Sequence, residues 1–218
     1  MDADFWLQRW REGQIGFHRG EVMPLLEQYW PSLAVPAGSR VFVPLAGKTL
    51  DMHWLAAQGL QVLGCELSPL AVEAFFAEAG TTPQVQRDAD GLHHRAGAID
   101  LVQGDVFALR EQTLATMDAF YDRAALIALP AGMRRRYVDE VYGKLPAGCR
   151  GLLITLEYPP AEKDGPPFPV PEEEVHALFA PQWDVERLTR RDILASEPRF
   201  IAEGVTALAT AAYRLQRR

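Results

Sequence analysis

A glycine turn and a carboxylate about 20 positions beyond it carry the first recognisable chemistry in this chain: Gly47 in Pro44-Leu45-Ala46-Gly47-Lys48, and Glu66 at the end of the next apolar run. In an open parallel sheet, ligands bind beyond the carboxyl ends of the strands, and a carboxylate at this spacing accepts hydrogen bonds from ribose hydroxyls. The pair predicts a nucleoside site. Two look-alikes fail on spacing. A phosphate-binding loop needs a glycine five positions before the one that precedes lysine, and Phe42 stands there. A dinucleotide fingerprint needs three glycines at G-x-G-x-x-G, and only Gly47 is present. A cofactor with a ribose but no pyrophosphate suits the turn better, and S-adenosylmethionine is the common one. Two further polar clusters, Gly104-Asp105-Val106-Phe107 and Asp122-Arg123, follow candidate strands. The first is placed to meet an adenine, but as an ordinary β-to-α turn it would have the same composition, so both readings stand.

The elements that must position these residues follow from local pattern. Val41 to Val43 is a short apolar run of the kind a buried parallel strand needs, Thr49 is a candidate N-cap, and Met52, Leu55 and Ala56 fall at helical spacing before Gly59. Gln61 to Cys65 resumes the strand. Ser68-Pro69 opens a helix that Gly80 closes. Thr81 to Gly97 is polar and poorly periodic, compatible with a short hairpin, and His93 and His94 read as surface or edge residues. Ile99 to Gln103, Met117 to Tyr121 and Gly151 to Tyr158 read as further strands, with Val185 to Thr189 and Val205 to Leu215 as a last, antiparallel pair. Arg134-Arg135-Arg136 begins a helix and reads as a solvated face. The proline-rich stretch Pro159 to Pro171 is too constrained for a linker, and Phe168 within it is a candidate wall for a substrate pocket.

At the N-terminus, Asp4 to Glu12 reads as a short helix with Trp6 and Trp10 one turn apart, and Glu21 to Tyr29 as a second. The indoles either staple this extension to the core or form a lid beside a sulfonium cation. Gly13, Gly16 and Gly20 around Phe17-His18 give a loop able to close and open. The 218 residues suit a single α/β domain, with no linker or charge block. A net charge of −7 argues against a polyanion such as nucleic acid as partner. No apolar run approaches a membrane span, and the acidic opening MDAD lacks a secretory basic region, which predicts a cytoplasmic protein without membrane partners. Cys65 and Cys149 read as reduced thiols, and the absence of C-x-x-C or H-E-x-x-H spacing predicts no metal site. No heptad or apolar interaction helix is visible, so a monomer is expected.

In order and at compatible spacing, FWLQRW with GFH, VFVPLAGKTLDMHWLAAQG, GCELSPLAVEAFF, QGDVFAL, FYDRAALIALP, LLITLEYPP and GPPFPVP run through the chain. With these motifs the chain resembles the thiopurine S-methyltransferase family, specifically its bacterial members, over essentially its full length. The turn PLAGK departs from the usual methyltransferase E/D-x-G-x-G, and that departure is itself a mark of the family. The resemblance implies a Rossmann-like class I methyltransferase: a central, mostly parallel seven-stranded sheet with an antiparallel edge strand, helices on both faces, and residues 1–35 as an N-terminal helical lid. It implies that Trp10, Leu45, Glu66, Arg123 and Val106 contact S-adenosylmethionine, with Trp6 and Asp105 nearby, and that Phe17 and Arg199 border the acceptor. The implied reaction moves a methyl group to the sulfur of a thiopurine or other aromatic or heterocyclic thiol. A guanidinium, from Arg123 or Arg199, would favour the thiolate. Alternatives from the residues are an ordinary ion pair of Arg123 with Asp122 or Asp105, selenium, tellurium or halide acceptors at the same site, and a cofactor-binding protein without turnover.

Overall fold

The computed structural model describes residues 3–218; Met1 and Asp2 of the acidic opening lie outside the described residues. Among these, nine strands form one sheet: β1 (Arg40–Val43), β2 (Gln61–Glu66), β3 (Gln84–Arg87), β4 (Leu92–Ala96), β5 (Ile99–Gln103), β6 (Ala119–Arg123), β7 (Arg150–Glu157), β8 (Trp183–Asp192) and β9 (Ala209–Arg217). Their spatial order is β3-β4-β5-β2-β1-β6-β7-β9-β8. The strands β5, β2, β1, β6 and β7 are mutually parallel. Seven strands, β5 through β8 in that order, make the expected sheet, and the polar Thr81–Gly97 stretch adds the antiparallel hairpin β3–β4 to one side. The antiparallel strand is not at the edge. β9 lies between β7 and β8 and runs opposite to both. Ala209 to Tyr213 is buried throughout and belongs inside, whereas β8 exposes Glu186, Arg187, Arg190 and Arg191, charges that keep an outer edge from pairing with another chain.

Parallel strands covered on both faces need apolar residues at every position. Val41 and Val43 face one core with Val62, Leu101 and Tyr121, and Phe42 faces the other with Leu63, Cys65, Val102 and Phe120. On the first face pack α2 (Pro24–Tyr29), α3 (Asp51–Ala57) and α4 (Pro69–Glu78), through Leu25, Leu26, Met52, Leu55, Val72, Phe75 and Phe76. On the second pack α5 (Glu111–Leu114), α6 (Ala131–Glu140) and α7 (Glu172–Phe179), through Leu114, Tyr137, Val138, Val175, Leu178 and Phe179. The helices α1 (Ala3–Arg11) and α8 (Pro198–Ala202) belong to neither core layer. None of the described helices is long and apolar enough to cross a membrane.

Several local expectations shift for identifiable reasons. Ser68 does cap α4, accepting the Ala71 N–H at 3.4 Å. Thr49, by contrast, is not the N-cap of α3: the helix starts at Asp51, whose N–H lies 3.3 Å from Thr49 Oγ1. The strand expected over Met117–Tyr121 runs two residues later, because Asp118 is spent accepting the Arg40 N–H at 2.8 Å and pairing with β1 begins at Ala119. Arg123 thus ends β6. His93 is neither a surface nor an open edge residue: it is buried, with Nδ1 2.9 Å from Asp100 and Nε2 2.9 Å from Asp88. Nor is the arginine run simply a solvated face. Arg134 is buried, 2.7 Å from Glu174 and donating to the Leu129 carbonyl at 2.9 Å, and Arg135 donates to the Leu178 carbonyl at 3.0 Å. Phe168 turns back over Gly165 and lies toward Arg134, 5.9 Å from its guanidinium carbon to the ring, so Pro166 and Pro167 form the wall instead.

Candidate active site

Chain order reverses direction across the sheet at β1, which continues to β2 and β5 on one side and is flanked by β6 and β7 on the other. This is where an open α/β sheet leaves a crevice beyond its carboxyl ends. A cleft of ≈ 1320 Å³ opens there. Single-ligand pockets typically hold roughly 300–1,000 Å³, so this one has room for two small molecules side by side.

The turn after β1 is shaped by two left-handed residues, Leu45 at φ 45° and Gly47 at φ 54°. For a branched side chain such as Leu45 that conformation costs on the order of 1 kcal/mol, and such strain collects at functional sites. The turn folds back on β2 through Ala46 N–H to the Cys65 carbonyl at 2.9 Å. It thereby brings the Gly47 N–H to Glu66 Oε2 at 2.8 Å, while the Ser68 N–H reaches Oε1 at 2.7 Å. Glu66 is buried, and burial raises its pKa against the opposing pull of these backbone donors. A carboxylate offers about four acceptor positions, so two donors orient it and leave capacity for a diol. The residues present fit a ribose.

The turn after β5 is tied to the same carboxylate residue: Gly104 N–H donates to the Glu66 carbonyl at 2.9 Å. Asp105 accepts the Phe107 N–H at 3.0 Å, and Val106 is buried at the start of the turn 106–108. Arg136 lies over the Phe107 ring at 4.5 Å, a wall contact that the sequence did not signal.

Over the turn lies α1. It has no fully buried residue, and its indoles face the cleft rather than either sheet core. Trp10 covers Gly47 so closely that a Cβ there would stand 3.4 Å from Trp10 Cζ2. Phe17 meets Trp6 at 5.6 Å and Trp10 at 5.7 Å, both edge-on, joining helix and glycine loop into one aromatic cover. The cover is fastened below by Asp51, which accepts the Met23 N–H at 2.8 Å and the Tyr121 hydroxyl at 2.9 Å.

Across the cleft, Arg123 is half-buried at the end of β6. Its neighbour Asp122 is fully occupied, accepting from Tyr142 Oη at 2.5 Å, Tyr137 Oη at 3.2 Å and the Leu126 N–H at 3.1 Å. Arg123 forms no ion pair with Asp122 or Asp105, and among the described residues its guanidinium has no hydrogen-bond or ion-pair partner. Arg199 is exposed on α8, with Nη1 pressed against Gly16, where a Cβ would collide with it. The cleft gathers Trp6, Trp10, Phe17, Leu45, Glu66, Asp105, Val106, Arg123 and Arg199, and adds His18, Lys48, Asp51 and Tyr121, which the sequence did not single out. Away from it, Asp88, Asp90 and His93 bring possible metal-ligand atoms within 4.8 Å of one another. Arg110, at 2.8 Å from Asp90 and 3.0 Å from Asp88, already supplies the cation there.

The family described as Thiopurine S-methyltransferase (TPMT) matches residues 1–218. The chain belongs to the thiopurine S-methyltransferase family. A thiopurine S-methyltransferase of Xanthomonas campestris pv. campestris (strain 8004) is 62% identical over 217 residues, covering 100% of both chains. One of Bordetella parapertussis is 58% identical over 217 residues, 100% of this chain and 99% of that protein. Among solved structures, the Burkholderia thailandensis 1,6-didemethyltoxoflavin-N1-methyltransferase with bound 1,6-didemethyltoxoflavin and S-adenosylhomocysteine superposes with a TM-score of 0.63. That alignment covers 99% of this chain and 87% of the other at 14% identity, a likeness of fold. In this thiopurine S-methyltransferase family member, the PLAGK turn reaches Glu66 without a second glycine because Leu45 itself takes the left-handed conformation.

Proposed function

We infer that this chain transfers the methyl group of S-adenosyl-L-methionine to the sulfur of thiopurines or other aromatic and heterocyclic thiols, releasing S-adenosyl-L-homocysteine. The observation that carries this reading is the Glu66 carboxylate, fixed by the Gly47 and Ser68 N–H groups at the end of β2, opposite the Arg123 guanidinium, which is unpaired among the described residues. Glu66 holds the ribose, Leu45 and Trp10 bracket the turn beside the amino-acid portion, and Val106 lies against the adenine. The bound donor supplies an electrophilic sulfonium methyl group, so the protein needs alignment and an anionic sulfur more than bond polarisation. Phe17 borders the acceptor, and Arg123 and Arg199 lower the cost of a thiolate by their positive charge. Excluding water beneath the aromatic cover strengthens that attraction. The buried free thiols Cys65 and Cys149 support a cytoplasmic location, and the scattered exposed apolar residues Leu70, Val85 and Ile201 support a monomer.

The test is transfer of labelled methyl to 6-mercaptopurine, with Glu66→Ala beside the wild type. Transfer by the wild type and its loss in the variant are expected. A wild type that bound the donor but left every thiol unmethylated would overturn the acceptor assignment and send the search to selenium, tellurium and halide acceptors.

A further inference from the structure

A thiol that is protonated at neutral pH must lose its proton before or as its sulfur is methylated, and a guanidinium cannot receive one. Most of the acid–base groups lining the cleft are committed elsewhere; Glu197, just before α8, has no side-chain hydrogen bond or ion pair to another described residue, but a carboxylate is ordinarily a weaker base toward a thiol than an imidazole. Asp51 accepts from Met23 and Tyr121, and Glu66 from Gly47 and Ser68. Glu203 is paired with Lys163 at 2.6 Å, and Asp105 caps the Phe107 turn. The Cys65 thiol donates to the Gly104 carbonyl at 3.5 Å, and burial pushes its pKa up. His18 differs from all of these. It sits in the glycine loop beside Phe17, half-buried in the cleft wall, and its backbone is set by its own N–H to the Ile15 carbonyl at 2.8 Å. Its imidazole forms no hydrogen bond to another described residue.

We propose that His18 is the proton acceptor for the thiol in methyl transfer, a catalytic role that rests on the S-methyltransferase reading above. The S–H bond breaks as the proton passes to an imidazole nitrogen, and the freed sulfur electron pair forms the new S–CH₃ bond as the donor's sulfur keeps the electrons of its own broken S–CH₃ bond. The products are the thioether, S-adenosyl-L-homocysteine and an imidazolium that returns its proton to water. Net charge in the cleft is conserved, because the positive charge leaves the donor as another appears on His18. The groups facing the imidazole favour a base that is neutral and ready at physiological pH. Burial lowers its pKa most, Lys48 and Arg123 lower it further, and Glu78 and Asp51 act in the opposite sense. The donated proton is then shed readily at the end of each turnover.

The role is selective by substrate, which separates it from a packing role. A thiol of ordinary pKa near 8.5 is only about 3% ionised at pH 7, so a base can gain at most about 30-fold on it. A thiophenol carrying an electron-withdrawing group is already ionised and gains nothing. For His18→Gln, kcat/KM at pH 7 should fall about 10- to 30-fold with a heterocyclic thiol of such a pKa, recover to within about twofold near pH 9.5, and stay within about twofold throughout with 4-nitrothiophenol. Turnover of 4-nitrothiophenol by the same variant also shows that it is folded. A second readout needs no methyl donor: ¹⁵N NMR of the histidine rings should show the His18 pKa rising when 4-nitrothiophenol binds, as the thiolate settles beside the imidazole. Equal losses on both thiols, no loss on either, or a His18 resonance indifferent to thiol binding would each overturn the assignment. A wild type inactive on both thiols would overturn the methylation reading itself, which is a distinct outcome.

Discussion

Glu66 and Arg123 divide the cleft between them, one an oriented acceptor and the other a cation without a hydrogen-bond or ion-pair partner among the described residues. On the proposal that the ionised Glu66 carboxylate holds the ribose, and with burial raising its pKa, donor affinity should weaken as pH falls through that raised value, and calorimetry at neutral and acidic pH would show it. With Arg199 proposed on the acceptor side, Arg199→Ala is expected to raise the acceptor KM about tenfold while leaving the donor Kd unchanged, consistent with an exposed charge worth on the order of 1 kcal/mol. Unchanged KM and kcat would remove Arg199 from the site. At this scale the sequence was informative wherever a residue's position depends on chain neighbours: Gly47 and Glu66 were marked by turn and strand spacing, whereas spacing left Asp105 open between an adenine-facing loop and an ordinary turn. It was silent where the role is set by burial or distant partners. Nothing near Arg134 in the chain announces Glu174, and nothing near His18 announces Arg123 or Lys48.

The elements transmit these residues' positions through a few buried polar contacts. Asp51 is the fastening point of the cover, joining α3, the Met23 backbone and β6. Asp51→Ala leaves a buried hydroxyl and a backbone N–H unmatched at about 1–3 kcal/mol each, so a Tm drop of several degrees together with faster proteolysis before residue 24 is expected. Gly47→Ala should be worse for binding than for folding, since the left-handed turn and Trp10 both resist a Cβ. The hairpin β3–β4 is held by a second network. Burial disfavours charge on Asp90, but hydrogen bonds from Arg110 and Thr113 outweigh it and hold its pKa down at about 2 from an ordinary 3.8. Folding lowers this pKa, so the stabilisation is present above the unfolded value and is lost as pH falls through the folded one. The Tm difference between wild type and Asp90→Asn should therefore be full at neutral pH and shrink between pH 3.8 and about 2. The parallel strands were legible because burial on both faces demands continuous apolar runs. The hairpin was only a suggestion, since its strength lies in side-chain pairs among Asp88, Asp90, His93, Asp100 and Arg110 that no hydrophobic period reveals.

As a whole the molecule sets a basic cleft into an acidic surface. Among the described residues, eight lysines and arginines line the cleft against five aspartates and glutamates, while the chain carries a net charge of −7. Such a field draws anions inward and is screened by salt over a Debye length of about 8–10 Å. For an ionised thiol kcat/KM should fall as ionic strength rises, with a weaker dependence for a neutral one. The seven-stranded plan was legible in the order of apolar runs, but the inner place of β9 was not. Whether the last strand sits inside or at the edge depends on which member of the pair can be buried on both sides, and Ala209–Tyr213 answers that only beside the charged face of β8. The central claim, that the crevice above β1 and β2 holds the methyl donor through Glu66, is tested most directly by calorimetric titration of S-adenosyl-L-methionine into the wild type and Glu66→Gln. The account predicts one site in the wild type and an affinity at least about tenfold lower in the variant, the loss of charge-assisted hydrogen bonds worth roughly 1.5–3 kcal/mol. Equal affinity in the two proteins, or no binding by the wild type, would contradict it.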